Sequence, residues 1–337
     1  MTQNLNHSCS KAPSIWVLTP PLLGTAKPCL ALAHALSDNI SQKMVQFKWP
    51  FKWLGQLLTP LGLKFKPNQL QNNGAELLAS WPDLVIASGR QAVPVALWIK
   101  SQSKGHTKLV FIQTPPSSFA PQFDLILSPQ HDAFAAPNVQ QICGTLASLN
   151  QAALNTAHHT WQPLFGALPT PRVGVLIGGT NKHFKFDSAT QLSILQQLVD
   201  LAHQKFGLII TCSRRTPPAF QTMLAQALEP YKNVYVWHGH GENPYMGILS
   251  WADYLLLTTD SVSMTMEALQ TGKPVYQIDL PPQKRLFSRG RLQTFNQHLQ
   301  SCGLTQLFNG QLSAYNYSIP NDVAASAAYI KTHLLTA

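Results

Sequence analysis

Four short stretches in the second half of the chain combine residue types that hold phosphates and sugars. Gly178-Gly179-Thr180-Asn181 follows an apolar run and offers bare backbone N–H groups near a helix start, a cradle suited to an anion. Ser213-Arg214-Arg215 follows a second run and supplies guanidinium forks that match phosphate oxygens. Gly241-Glu242-Asn243, with Tyr245 close behind, is a tight polar turn able to read a base or a sugar. Asp260, Ser261, Val262, Ser263 and Met264 open a helix, where free N–H groups and the positive end of the dipole favour negative charge. Asp260 or Ser261 suits the N-cap. Glu267 lies four residues past Ser263 on the same side, placed to accept both hydroxyls of a ribose.

None of these is specific alone. Any parallel α/β unit has capped helices and polar loops, and a carboxylate near a helix start also complements the dipole. Four at successive strand ends of one domain point together to a pocket for a nucleoside diphosphate. Two basic side chains and a helix N-terminus can stabilise a leaving diphosphate. The sequence has no H-E-x-x-H, Walker motif or spaced carboxylate cluster, so neither a metal nor a cofactor is expected.

The first half carries a sparser set. Gly24, Thr25 and Lys27 lie in the loop PPLLGTAK after the first expected strand. Arg90, Gln113, His131 and Asp132 each lie just past a later strand end, where ligands bind in parallel sheets. Each also suits a cap or a solvated loop. His131 and Asp132 are the candidates for taking a proton from an attacking hydroxyl. Residues 44–67 are unusual. No acid occurs between Asp38 and Glu76, while Lys48, Lys52, Lys64 and Lys66 alternate with Phe47, Trp49, Phe51, Trp53 and Phe65. Such a segment suits peripheral contact with an anionic membrane. It equally suits a strand and short helix whose aromatics are core. Single-stranded nucleic acid is a lesser third use, and none is expected as a partner.

The elements that must position these residues alternate strand and helix. Ser14–Thr19, Asp83–Ser88, Lys108–Thr114 and Asp124–Ser128 read as strands of one series, and Arg172–Ile177, Leu208–Cys212, Val234–Trp237, Tyr254–Leu257 and Val275–Ile278 as strands of a second. This is the pattern of an α/β fold with parallel sheets. The Pro- and Gly-rich stretch 161–171 reads as the linker. Residues 1–13 are expected to be a tail, 14–165 and 170–318 two domains, and 319–337 a helix able to return to the first. Hydrophobic residues at 45% suffice for two cores, and the net charge of +10 comes from scarce acids, which suits an anionic ligand or membrane surface. Five dispersed cysteines without a C-x-x-C suggest a reducing compartment. The polar N-terminus lacks a signal-peptide core and no apolar run reaches spanning length, so a cytoplasmic protein is expected, peripheral on the inner membrane if bound there at all.

Several motifs taken together resemble the mitochondrial-fission "elongated mitochondria" family. They are Gly89-Arg90, the run Ser213–Pro218, Gly241–Tyr245, Thr258–Met264 and Gly272–Val275. The resemblance covers about residues 14–318. It implies a GT-B-like architecture of two Rossmann-like domains whose parallel sheets face an interdomain cleft, similar to nucleotide-sugar transferases that build lipid-linked sugars. By that similarity the second domain binds the donor, with Glu267 on the ribose and Ser261–Met264 near the diphosphate, while Gly24, Thr25, Lys27, Arg90 and Gln113 face the acceptor. The implied function is metal-independent transfer of a sugar from a nucleotide sugar to a lipid-linked or envelope-glycan acceptor. The alternatives are a non-catalytic adaptor of the same fold and, less well supported, a nucleotide-sugar epimerase. Where the family pattern has an Asn-Gln pair before the first helix, this chain has Lys27-Pro28, which bears on both catalysis and acceptor identity.

Overall fold

A computed structural model describes residues 12–49, 51, 65–72, 74–78, 80–283 and 290–335. In chain order the first series is β1 (Ile15–Thr19), α1 (Leu23–Leu36), β2 (Ile40–Met44), β3 (Leu84–Ser88), α2 (Ala92–Gln102), β4 (Lys108–Ile112), β5 (Leu125–Pro129) and β6 (Val139–Ile142). The second series is α3 (Gln151–Phe165), β7 (Arg172–Ile177), α4 (Ser188–His203), β8 (Gly207–Cys212), α5 (Pro218–Leu228), β9 (Val234–Val236), α6 (Tyr245–Trp251), β10 (Tyr254–Thr258), α7 (Val262–Leu269), β11 (Val275–Ile278), α8 (Arg291–Ser301) and β12 (Gln306–Leu307), followed by α9 (Asp322–His333).

The chain divides into two compact units, one running to Leu146 and resuming at Asn321, the other spanning Ala147–Pro320. Each holds one six-stranded sheet, ordered β2-β1-β3-β4-β5-β6 and β12-β11-β10-β7-β8-β9. Every pairing between these strands is parallel. Parallel pairing forces a crossover between strands, mostly helical here, so the central strands are covered on both faces and read as continuous apolar runs. All carboxyl ends of one sheet then lie at one edge, which is where both candidate sets fall.

In the first unit, alternation sorts the side chains of β1. Ile15 and Val17 join Cys29, Leu32 and Ala33 of α1 and Ile330 of α9, while Trp16 and Leu18 face the core that α2 covers. Each fully buried aliphatic contributes about 1.5–3 kcal/mol. The Asp322 carboxylate at the start of α9 accepts the Cys143 N–H at 3.0 Å. These contacts seat the last helix on the first unit.

The first five residues of the stretch 161–171, read as a linker, are helix. Asn150 caps α3 by accepting the Ala153 N–H at 3.1 Å, and the helix runs through Pro163 to Phe165. Trp161 and Phe165, one turn apart, are buried and meet Tyr235. A Cβ on Gly247 of α6 would stand 2.4 Å from Trp161 Cδ1, so α3 and α6 pack with no side chain between them at that point. The boundary between units falls after Leu146. The Pro and Gly content that suggests a linker conceals two aromatics at helical spacing.

Of the basic, aromatic segment 44–67, residues 50 and 52–64, with Lys52, Trp53 and Lys64, lie outside the described residues. Phe47 and Phe65 are buried core, 4% and 8% exposed, and Phe47 bridges Leu70. Trp49 is 83% exposed. Among the described residues no helix is long and apolar enough to cross a membrane.

Candidate functional site

The best-defined cluster sits at the carboxyl edge of the second sheet and is built around Asp260. β10 ends at Thr258, followed by Thr259 and Asp260, all three buried. Asp260 Oδ1 accepts the Thr258 hydroxyl at 2.6 Å, and Oδ2 accepts the Gly179 N–H at 3.2 Å and Arg215 Nη2–H at 2.5 Å. Thr258 Oγ1 in turn accepts the Gly178 N–H at 2.7 Å. The Asp260 carbonyl accepts Asn181 Nδ2–H at 3.0 Å, while Asn181 Oδ1 accepts the N–H groups of His183 and Phe184. Thr216, nearly inaccessible, bonds the Gly178 carbonyl and accepts the Ser213 N–H at 3.0 Å. The loops after β7, β8 and β10 are thus tied through one carboxylate whose side chain has no exposed surface. Such a carboxylate is tolerable only because each oxygen is hydrogen-bonded and a guanidinium balances its charge.

This geometry corrects one expectation and decides between Asp260 and Ser261 as the cap of the following helix. The N–H groups of Gly178 and Gly179 are not bare. They donate to Thr258 and Asp260, because β7 lies between β10 and β8 and its following loop is enclosed by theirs. A Cβ on Gly178 would stand 1.8 Å from Asp260 Oδ1, and one on Gly179 would stand 2.1 Å from the Arg215 carbonyl oxygen. The glycines serve close approach of protein to protein. Asp260 likewise does not open the helix. Ser261 is the N-cap, accepting the Met264 N–H at 3.4 Å, and Asp260 turns inward.

What remains outward is a narrower set. Thr180, Arg214, Arg215 and Glu242 are exposed, the Arg215 side chain at 44% even while paired to Asp260. Ser261, Val262, Ser263 and Met264 are half-buried at the start of α7. With the Met264 N–H taken by Ser261 and the Thr265 N–H by the helix, the first-turn N–H groups of Val262 and Ser263 have no intrahelical acceptor. Glu267, one turn on, accepts the Tyr245 Oη–H at 2.6 Å. Tyr245 starts α6 with its N–H on Asn243 Oδ1 at 3.0 Å, following the left-handed glycine Gly241. Burial first, and the Glu267 carboxylate second, push the Tyr245 phenol well above its usual pKa, so it stays a donor.

Lys273 was not singled out from sequence, although it sits in the Gly272–Val275 motif. Its Nζ donates to the carbonyls of Leu249 and Ser250 at 2.7 and 2.8 Å, closing the end of α6. Burial lowers its pKa from 10.5 to about 8, against the pull of Asp253. Between those values the unfolded chain holds the proton that the folded chain has lost, so this group makes stability rise with pH from about 8 to 10.5. The slope is at most about 1.4 kcal/mol per pH unit. Urea unfolding of wild type and Lys273→Gln at pH 7.5 to 9.5 is expected to show a steeper rise for wild type; parallel curves would refute it.

In the first unit, Gly24, Thr25 and Lys27 lie in the first turns of α1, Arg90 follows β3, Gln113 follows β4, and His131 and Asp132 follow β5. All fall at the carboxyl edge of that sheet. Thr25 donates its hydroxyl to the Leu22 carbonyl at 2.8 Å, Lys27 and Arg90 are exposed, and Pro28 is buried. Gln113 has φ +83 with its N–H on the Leu127 carbonyl. Asp132 Oδ2 accepts the Thr114 hydroxyl at 2.6 Å, and Thr114 contacts Ser128 Oγ at 2.9 Å. Among the described residues no group of three or more His, Cys, Asp or Glu side chains gathers in a way that could hold a metal.

Comparison with known proteins bears on the fold. Two of the matching solved structures illustrate it. One is the UDP-GlcNAc 2-epimerase from Methanocaldococcus jannaschii, 12% identical with a TM-score of 0.53, covering 95% of this chain and 93% of that one. The other is the glycotransferase of kitacinnamycin, 12% identical with a TM-score of 0.52, covering 95% and 91%. At such identity they show architecture alone: α/β, GT-B-like, with two Rossmann-like units. The mitochondrial fission protein ELM1 of Arabidopsis thaliana is 28% identical over 279 residues, 75% of this chain. The match spans only 64% of the plant protein's length. The family model described as Mitochondrial fission ELM1 matches residues 23–334, so the chain belongs to the mitochondrial fission ELM1 family.

Proposed function

We propose that this protein is a metal-independent glycosyltransferase that moves a sugar from a nucleotide-sugar donor to an acceptor hydroxyl. One observation carries the reading. At the carboxyl edge of the second sheet, a buried Asp260 holds the Arg215 guanidinium half-exposed, while Glu267 and the start of α7 lie on the helix that directly follows. In this reading Glu267 accepts ribose hydroxyls, and Arg214, Arg215 and the N–H groups of Val262 and Ser263 meet the diphosphate. Thr180, Asn181, Ser213, Gly241, Glu242 and Asn243 shape the surrounding loops. The acceptor oxygen forms the new bond to the anomeric carbon as the bond to the diphosphate breaks. The acceptor's proton passes to a general base, and the charge left on the diphosphate rests on the arginines. A lipid-linked or envelope-glycan acceptor fits the exposed Trp49 and its neighbour Lys48, which would bring the first unit to the cytoplasmic face of an anionic membrane.

The test is calorimetry and thermal shift of the full chain with UDP, GDP, ADP and CDP and their sugars. UDP-sugars come first because the fold is shared with a UDP-GlcNAc epimerase. Binding in the micromolar to low millimolar range is expected, with Glu267→Ala weakening it about tenfold or more. Absence of binding at millimolar ligand, together with no effect of Glu267→Ala, ends the reading. A second reading, a non-catalytic adaptor of the same fold that binds a partner protein, is favoured by the start of α1. There this chain has Lys27-Pro28 where the resemblance implies an Asn-Gln pair, so the turn presents different groups from those the family resemblance implies. A stoichiometric partner retained by Glu267→Ala would support it.

A further inference from the structure

We propose that Asn296 is a positioning residue for the nucleotide site: from α8 it holds the turn Thr259–Ser261, and through that turn it aims the first N–H groups of α7 at a diphosphate. The inference rests on the nucleotide-binding reading of the same edge.

A relay of side-chain amides leads to that turn. Gln277 has no exposed surface, although it lies on β11 among Val275, Tyr276 and Ile278. A buried amide is tolerated only when its N–H and C=O groups are paired, so an aliphatic residue would serve packing alone at least as well. Here each amide is paired to the next. Gln277 Oε1 accepts Gln300 Nε2–H at 2.9 Å and the Thr305 hydroxyl at 3.2 Å, and Gln277 Nε2–H donates to Asn296 Oδ1 at 2.8 Å. Asn296, itself 5% exposed, donates Nδ2–H to the Thr259 carbonyl at 3.0 Å. A carbonyl only accepts hydrogen bonds, so Asn296 presents its NH2 to Thr259 and its oxygen to Gln277, and the order of the whole relay follows from that one end. Phe295 and Leu299, both buried, flank Asn296 and seat α8.

Three bonds fix the residue at which the relay ends. Thr259 donates its N–H to the Ile278 carbonyl at 3.2 Å, its Oγ1 accepts the Leu280 N–H at 3.0 Å, and its carbonyl takes Asn296. The first two tie Thr259 to β11 and the residues after it. The third acts on the plane of the peptide that leads to Asp260. Beyond that peptide, Asp260 turns inward to Gly179, Thr258 and Arg215, and Ser261 caps α7. Rotation of the plane therefore moves Ser261 and the N–H groups of Val262 and Ser263 while the strands stay in register. Hydrogen bonds weaken steeply as their angle closes, so a modest rotation is read first in the affinity for a diphosphate.

Isothermal titration of the full chain tests this, with whichever of UDP, GDP, ADP and CDP binds most tightly and with the matching nucleoside. Asn296→Ala is compared with Asn233→Ala, which removes an amide bonded to the carbonyls of Ala202 and Phe206 just before β9, at the amino edge of the same sheet. Asn296→Ala is expected to bind the diphosphate about tenfold more weakly than wild type with nucleoside affinity unchanged, and Asn233→Ala to bind both within about twofold of wild type. Gln277→Leu keeps Asn296 and removes its anchor. It is expected to weaken the diphosphate about threefold, and it decides the question if Asn296→Ala does not fold. Wild-type affinity for the diphosphate in these relay variants overturns the inference and leaves the nucleotide reading standing. So does an equal loss for diphosphate and nucleoside, or an equal loss in Asn233→Ala, since either marks a merely structural role. Wild type that binds no nucleoside diphosphate removes both.

Discussion

Gly178→Ala is expected to lower the stability of the protein by about 4 kcal/mol or more, among the largest effects of any single methyl group here. The added Cβ would fall 1.8 Å from Asp260 Oδ1, 2.2 Å from Oδ2 and 2.3 Å from Cγ. No rotamer relieves this, because Asp260 is held by Thr258, Gly179 and Arg215 at once. Moving the carboxylate breaks those bonds in a buried place, so an overpacking penalty of about 1–3 kcal/mol adds to the loss of a buried network. Gly24→Ala is the matching control. Nothing lies within 4 Å of its Cβ position, and it is a helical residue of α1, so alanine there is expected to be neutral or stabilising by up to about 1 kcal/mol. Urea unfolding of the two variants beside wild type reads the contrast directly. Equal midpoints for Gly178→Ala and wild type would mean that the loops after β7 and β10 are not in contact.

Asp260→Ala is expected to cost about 3 kcal/mol, near the lower end of the range for breaking a buried pair because the Arg215 side chain is 44% exposed and can turn to water. It strands the Gly179 N–H and the Thr258 hydroxyl in a buried place. Arg215→Ala removes the other partner. It leaves the buried Asp260 carboxylate without its counter-charge, so it is expected to cost at least as much stability as Asp260→Ala and also to weaken nucleoside diphosphate binding. Urea unfolding and calorimetry of the two variants read both effects. An Arg215→Ala protein as stable as wild type, with binding unchanged, would contradict both assignments.

The central strands of both sheets were legible because each is a continuous apolar run bounded by polar turns, the signature of strands buried on both faces, whereas the polar edge strands β2 and β12 lack that run and were not read from sequence. The start of α7 was legible to within one residue, with Ser261 as cap. The roles of Gly178, Gly179 and Asp260 were not. Each has the residue type of an anion site, but the partners that claim them lie about 80 positions away, Gly178 on Thr258 and Gly179 on Asp260. Sequence shows which N–H groups end a strand and not whether a neighbouring strand already accepts them. Tyr245 and Glu267 were both picked out, while the bond between them depends on how α6 and α7 pack. Trp161 and Phe165 were lost among prolines and glycines whose local meaning is a turn, until their shared burial against Tyr235 made the segment a helix.

The central claim is that the carboxyl edge of the second sheet binds a nucleoside diphosphate through Glu267 and Arg215. A crystal structure with the tightest-binding nucleoside diphosphate soaked in tests it most directly. The account predicts ribose hydroxyls within about 3 Å of the Glu267 carboxylate, with the diphosphate against Arg215 and the first turn of α7. A nucleotide bound elsewhere, with Glu267 and Arg215 untouched, would contradict it.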